Sequence, residues 1–449
     1  MKLYPCLLAA VWATSALARI ETTPDLPSEP LTLEQVLAEA LMRNPELKAA
    51  KARIEQAEAR LEEANAAFWP QLKASVRYTH TNDPSRAFGF IVAQRRFDFS
   101  MDINRPGFVE DFRPEVSVTW SLFRGGQDWF LRQAAKLGIE AAAAETIAVR
   151  NRLAEAVCRA FYAFLATPEE IKVAERTRAT VARELELTRA RVQQGIALKS
   201  DLLSLEVRLA QANETKIQAH NAQEAARTAL ATLLALPSHT PIAVRNGDRP
   251  LPLAGEFESW LDQALTARPE LKAAAKEIEA RERLLRAAQG ARFPQVNAFV
   301  TYGFNAPSPS FPTSRDNWTM GVQAELDLFS GGAISARIHR AKKGLEEAKA
   351  QAEHLRLAAE QEVRQAWLSL RAALARLEVA DRALAAAESA LRQVTAQYRA
   401  GGATVTRFLE AETDFSAAHL EQISARFGAF TAEAQLKRAA GLLPLEPKP

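Results

Sequence analysis

Two cysteines and six histidines are all that 449 residues offer to thiol or metal chemistry. Cys6 lies in an N-terminal stretch that reads as a secretory signal, which leaves Cys158 alone and excludes an internal disulfide from the mature chain. Cys6 also comes too early, and before too little apolar sequence, to read as a lipid-anchoring residue. His80, His220, His239, His339, His354 and His419 are scattered, with no pair at metal-ligand spacing on one helix face. There is no phosphate-cradling glycine loop and no convergent set of reactive side chains, so neither a cofactor nor an enzyme activity is expected. The net charge of +3 gives no basic footprint for nucleic acid. Beyond the signal no apolar run reaches about 18 residues, which excludes a membrane-spanning helix but not a β-barrel, whose strands alternate.

What is present is a signal, periodicity and repetition. Lys2, the apolar run Leu7 to Leu17 and the small-residue site Ala16-Leu17-Ala18 predict a signal peptide over 1–18 and a mature chain from Arg19. A helix is predicted from Thr32 to Ala67, opened by a Thr32–Gln35 capping box. Period-two alternation then predicts strands over 71–79 and 115–123, joined by a long loop over 82–111. Gly125 and Gly126 allow the chain to turn sharply into a helical hairpin over 127–236. Pro168 is expected to kink or break its first arm, and Ser200 to cap its second.

After a proline-rich linker (237–255) the chain repeats itself. Asn44-Pro45-Glu46-Leu47-Lys48 is echoed by Arg268-Pro269-Glu270-Leu271-Lys272 at an offset of 224. Leu122-Phe123-Arg124-Gly125-Gly126 is echoed by Leu328-Phe329-Ser330-Gly331-Gly332 at an offset of 206. A tandem duplication follows, with repeats over 19–236 and 256–443 and a short tail, 444–449. The second repeat carries strands over 295–304 and 318–329, a loop over 305–316 and a hairpin over 332–441. Phe299 interrupts the polar side of the first of these strands. In the hairpin, Val363, Leu370, Leu377, Leu384, Leu391 and Tyr398 hold one heptad position, and Ala359, Ala366, Ala373, Ala380, Ala387 and Val394 the other.

Four two-faced strands match the length of a tilted membrane crossing, yet four cannot close a barrel, and open edges are not tolerated in hydrocarbon. Several chains must therefore share one barrel. Two other readings compete: the strands as edges of a small soluble sheet, and the whole chain as a soluble periplasmic coiled-coil adaptor.

The motifs together resemble the TolC-like outer-membrane efflux protein family over nearly the whole mature chain. The resemblance rests on Leu37 to Leu47, on the doubled Leu-Phe-x-Gly-Gly, and on the tips Gln194-Gly195-Ile196-Ala197-Leu198-Lys199-Ser200-Asp201 and Tyr398-Arg399-Ala400-Gly401-Gly402-Ala403-Thr404-Val405. It implies a mainly α fold with membrane β: a homotrimer, each chain giving four strands to a twelve-stranded outer-membrane barrel and two helical hairpins to a periplasmic coiled-coil tunnel. It also implies a passive exit duct for drugs, metals or secreted protein. The implied partners are a periplasmic adaptor (membrane fusion) protein, an inner-membrane pump of RND or ABC type and outer-membrane lipid.

By the same resemblance Gly195, Ile196, Ala197, Gly401, Gly402 and Ala403 form tips on which the adaptor docks. Ser200, Asp201, Tyr398, Arg407 and Glu410 line a closing entrance. Ala403 stands where the best-known family pattern has an arginine, and Arg407 where it has an aspartate. Arg407 and Glu410, three apart, can pair and weaken any acidic ring.

Overall fold

The computed structural model describes residues 29–245 and 255–442. The signal at 1–18, the tail at 444–449 and linker positions 246–254 lie outside the described residues. The helix expected over 32–67 is two helices, α1 (Leu33–Arg43) and α2 (Pro45–Ala66). The capping box opens α1, Gln35 N donating to Thr32 Oγ1 and Thr32 N to Gln35 Oε1. The division falls at Asn44, because Asn44 Oδ1 accepts from Glu46 N at 2.8 Å and Pro45 supplies a first helical residue that needs no donor partner. The second repeat is divided likewise into α6 (Phe257–Ala267) and α7 (Pro269–Gly290).

Four antiparallel strands form one sheet in the order β1 (Gln71–Thr81), β2 (Val109–Arg124), β3 (Gln295–Phe304), β4 (Asp316–Glu325). Three of the strands differ in their bounds from the alternation-based expectation. β1 ends at Thr81, β2 begins six residues earlier and ends one later, and β4 begins at Asp316 and stops at Glu325, leaving Leu326 to Phe329 beyond the strand. The loop over 82–111 also contains a helix, α3 (Pro84–Ala93), opened by Asp83, whose Oδ1 accepts from Ser85 N at 3.0 Å. Asp111 is buried beside its C-terminal end and accepts from Gln94 Nε2 and Asn305 Nδ2, which ties the loop to the residue that follows β3.

Register sorts the sheet into two faces. Leu72 pairs with Val118, Val118 with Val300 and Val300 with Met320, all on one side, whereas Lys73, Ser117, Thr301 and Thr319 align on the other. The apolar side is bare: Leu72, Val322 and Trp318 are 73%, 67% and 66% exposed. Phe299, the misfit on the polar side, lies across Gly321 of the next strand, where a Cβ would come within 2.8 Å of its ring.

Below the sheet run two hairpins of one long and one shorter helix, α4 (Gln127–Gln193) with α5 (Lys199–Leu233) and α8 (Ala333–Arg399) with α9 (Val405–Ala439). Each 67-residue arm is about 100 Å long at roughly 1.5 Å per residue. Pro168 does not break α4. It lacks the N–H that would reach the Phe164 carbonyl, and the Thr167 hydroxyl donates to that carbonyl instead, at 2.8 Å. Ser200 does not cap α5 either. The capping position is Leu198, which has no side-chain acceptor; its counterpart Thr404 accepts from Arg407 N at 3.2 Å.

The heptad seam of α8 is buried at Val363, Leu370, Leu377, Leu391 and Tyr398, with Leu384 half-buried. The largest core joins α1, α4, α5 and α9 around Phe161, Leu230, Leu234 and Ile423. An ion network crosses the two repeats beside it: Arg438 of α9 pairs with Glu155 of α4 and Glu362 of α8, and Glu362 also accepts from Arg268.

Candidate functional site at the tips, junctions and seams

Both hairpins end in the same cap. Gly195 N donates to Val192 O and Ile196 N to Arg191 O; Gly401 N donates to Tyr398 O and Gly402 N to Gln397 O. This paired bonding satisfies the last carbonyls of each long arm and needs a left-handed residue at one position. Gly195 (φ 74) and Gly401 (φ 81) supply it, while Gly402 does not need that region. Ile196 and Leu198 stand 72% and 68% exposed at the first tip, beside Ala197. The second tip presents the smaller Gly402 and Ala403.

Tyr398 faces inward. Its hydroxyl lies 3.3 Å from Thr188 Oγ1, and its ring stacks on Phe408 at 5.3 Å. Asp201 and Ser200 lie in the first turn of α5, Asp201 half-buried and Ser200 exposed. The chain therefore does not bring Asp201 and Tyr398 into a common hydrogen bond. Arg407 and Glu410 do meet: Nη1 and Oε2 are 3.2 Å apart on the exposed face of α9. Among the described residues no group of three or more His, Cys, Asp or Glu could hold a metal. Burial pushes the Cys158 thiol up to about 12, which suits a packing residue rather than a nucleophile.

The glycine pairs at the strand–helix junctions also differ in surroundings. Gly125, Gly126, Gly331 and Gly332 all have positive φ. A Cβ on Gly125 would come within 2.0 Å of the Gly290 carbonyl oxygen, whereas Gly331, its repeat counterpart, has nothing within 4 Å.

The same asymmetry recurs along the hairpins, and reasoning from periodicity alone missed it. Val173 of α4 and Ile423 of α9 are 3% and 0% exposed in one core, where the second hairpin packs on the first. Their counterparts 206 residues away, Val379 of α8 and Ile217 of α5, are 66% and 62% exposed. The 206-residue offset pairs them in the sequence, but each pair is one residue type, and only burial separates its members. A second overlooked group is Glu412, nearly fully buried on α9 with Oε1 unpartnered. Burial pushes its carboxyl up, against the Thr177 hydrogen bond and the charges of Arg176 and Arg208, which pull it down.

The comparisons with known proteins agree with this arrangement. The outer membrane efflux protein family profile matches residues 36–236 and 260–442. CyaE of Bordetella pertussis is 27% identical over 402 residues, covering 88% of this chain and 80% of CyaE. The outer membrane protein TolC of Escherichia coli K12 is 23% identical over 435 residues, covering 93% and 83%. Among solved structures, the Campylobacter jejuni CmeC outer membrane channel superposes with a TM-score of 0.77 at 17% identity, over 91% of this chain and 85% of that one. The soluble-adaptor reading and the small-soluble-sheet reading both fall with these matches, and with a sheet that leaves one whole apolar face bare. On a profile match that spans both repeats, sheet and hairpins included, the chain belongs to the outer membrane efflux protein family.

Proposed function

We propose that three copies of this chain close into one duct, and that the two hairpin tips of each copy meet a periplasmic adaptor which joins the duct to an inner-membrane pump of RND or ABC type. The observation that carries the reading is the pair Ile217 and Val379. Each is exposed where its repeat counterpart is buried, so the seam between copies can be made by the contact that α4 and α9 already make within one copy. β1 and β4 leave their outer edges unpaired in the same way. Two copies would close eight strands, whose interior side chains fill; twelve strands leave a lumen.

The duct is passive, energy coming from the pump, and its cargo is a drug, a metal ion or a secreted protein. Exposed aromatics flank the apolar face at both ends, with Trp69, Phe293 and Phe329 toward the helices and Tyr78 and Trp318 toward the loops, as suits contact with outer-membrane lipid. Asp201 and Ser200 restrict the entrance, with Tyr398 bracing the tip from inside the chain, while the local Arg407–Glu410 pair leaves less charge for an acidic ring. Light scattering of the detergent-solubilised protein tests the assembly: a mass of three chains is expected, and a monomer contradicts it. Asp201→Ala should raise the conductance of the reconstituted channel; an unchanged conductance removes Asp201 from the entrance.

A further inference from the structure

On the duct reading above, we infer that the tunnel wall just beneath the barrel binds cargo carrying several carboxylate or phosphate groups. The inside of the wall can be traced from the strands. Phe123 pairs with Val296 on the apolar side, so Arg124, paired with Gln295, projects to the polar side. Its Nη1 donates to Asp128 Oδ1 at 3.0 Å, and both residues open a groove of about 890 Å³ between α2, α4 and α7. That groove runs into a second, of about 730 Å³, between α4, α7 and α8, and the two share Leu131, Arg281 and Leu284. Both grooves therefore continue the polar, water-filled side of the barrel.

Their charges are unevenly matched. Arg124 is neutralised by Asp128, Arg281 by Glu277 and Lys343 by Glu346. Arg53 and Arg60 in the first groove, and Arg337 and Arg340 in the second, take part in none of the ion pairs among the described residues. The unpaired carboxylates of the first groove are Glu63 and Glu145, so it is balanced. In the second, Glu347 lies two turns below Arg340, and the stretch from Ala333 to Leu345 holds Arg337, Arg340, Lys342 and Lys343 without one acid.

Packing does not require these charges. At the offset of 206, Arg337 stands where α4 has Leu131, and Arg340 where α4 has Ala134. Two guanidiniums three residues apart repel each other, a cost that nearby anions would offset. Repeated around three copies, Arg337 and Arg340 make a ring of guanidiniums across the path of the cargo, the arrangement by which pores favour phosphate and other anions.

The test is current block in planar bilayers by inorganic tripolyphosphate added on the barrel side. Wild-type channels should be blocked in a concentration-dependent way. The Arg337→Glu/Arg340→Glu double variant should need roughly tenfold or more tripolyphosphate, and the Arg337→Lys/Arg340→Lys variant should stay within about threefold of wild type. Wild-type current that tripolyphosphate does not block, or equal block of the wild type and the glutamate variant, overturns the inference and leaves the duct reading standing. Absence of any current from the trimer overturns the duct reading itself.

Discussion

Truncating Ile217 and Val379 to alanine should loosen the assembly and leave each chain folded. Full burial of a side chain of this size is worth about 1.5–3 kcal/mol. Ile217 is 62% and Val379 66% exposed in the single chain. Covering both by the neighbouring copy therefore contributes about 2–4 kcal/mol per seam, or about 6–12 kcal/mol over three seams. The matched control is Ile423→Ala, which removes a side chain already buried within the chain and should cost the fold itself about 2–5 kcal/mol. Dissociation of the detergent-solubilised trimer by denaturant, followed by light scattering, reads the first effect, and circular dichroism reads the second. Because the two residues would touch across copies, the double variant should show a coupling of about 0.5 kcal/mol or more. Unchanged dissociation midpoints in both single variants, or strictly additive effects, would refute the reasoning from the repeat.

Other tests probe how the arms are held together. Thr167→Val should cost about 1–3 kcal/mol, since Pro168 leaves the Phe164 carbonyl with no other donor; in a Pro168→Ala background most of that cost should vanish, as denaturant midpoints would show. Ala235 holds φ 55 at the end of α5, where the second repeat has Gly441 at φ 76. Left-handed backbone costs an alanine about 1–2 kcal/mol, part of which glycine returns through its freer unfolded chain, so Ala235→Gly should gain up to about 1 kcal/mol in thermal stability. Gly441→Ala should lose stability, since its Cβ would also meet Arg268 N at 3.0 Å. Glu412 has its folded pKa raised, mainly by burial, so its contribution is fully present below the unfolded value of 4.5 and is lost as pH rises through the folded value. Glu412→Gln should flatten that fall, and stability measured against pH for both proteins would show it.

Much of the fold was legible because its signals are local and doubled. The Thr32–Gln35 box, the alternation over Gln295–Phe304 and the heptad from Ala359 to Tyr398 each act within a few turns, and repetition separated them from chance. The errors arose where a tertiary or side-chain partner decides. The break allowed for at Pro168 does not occur, because periodicity cannot see a hydroxyl taking over a carbonyl. The helix in the external loop was missed although Asp83-Pro84 is an N-terminal signature, since only Ala87 and Ile91 bury an apolar face there. Of the candidate site, the glycine tips were readable from sequence. The proposed seam was not, because Ile217 and Ile423 are the same residue type, and only burial tells them apart.

Conduction by the trimer is the central measurement for the duct reading. Purified from detergent as a three-chain particle and added to a planar lipid bilayer, the protein should insert and carry discrete single-channel currents, larger after Asp201→Ala. A folded particle that stays in solution as a monomer and produces no current at any voltage would contradict it.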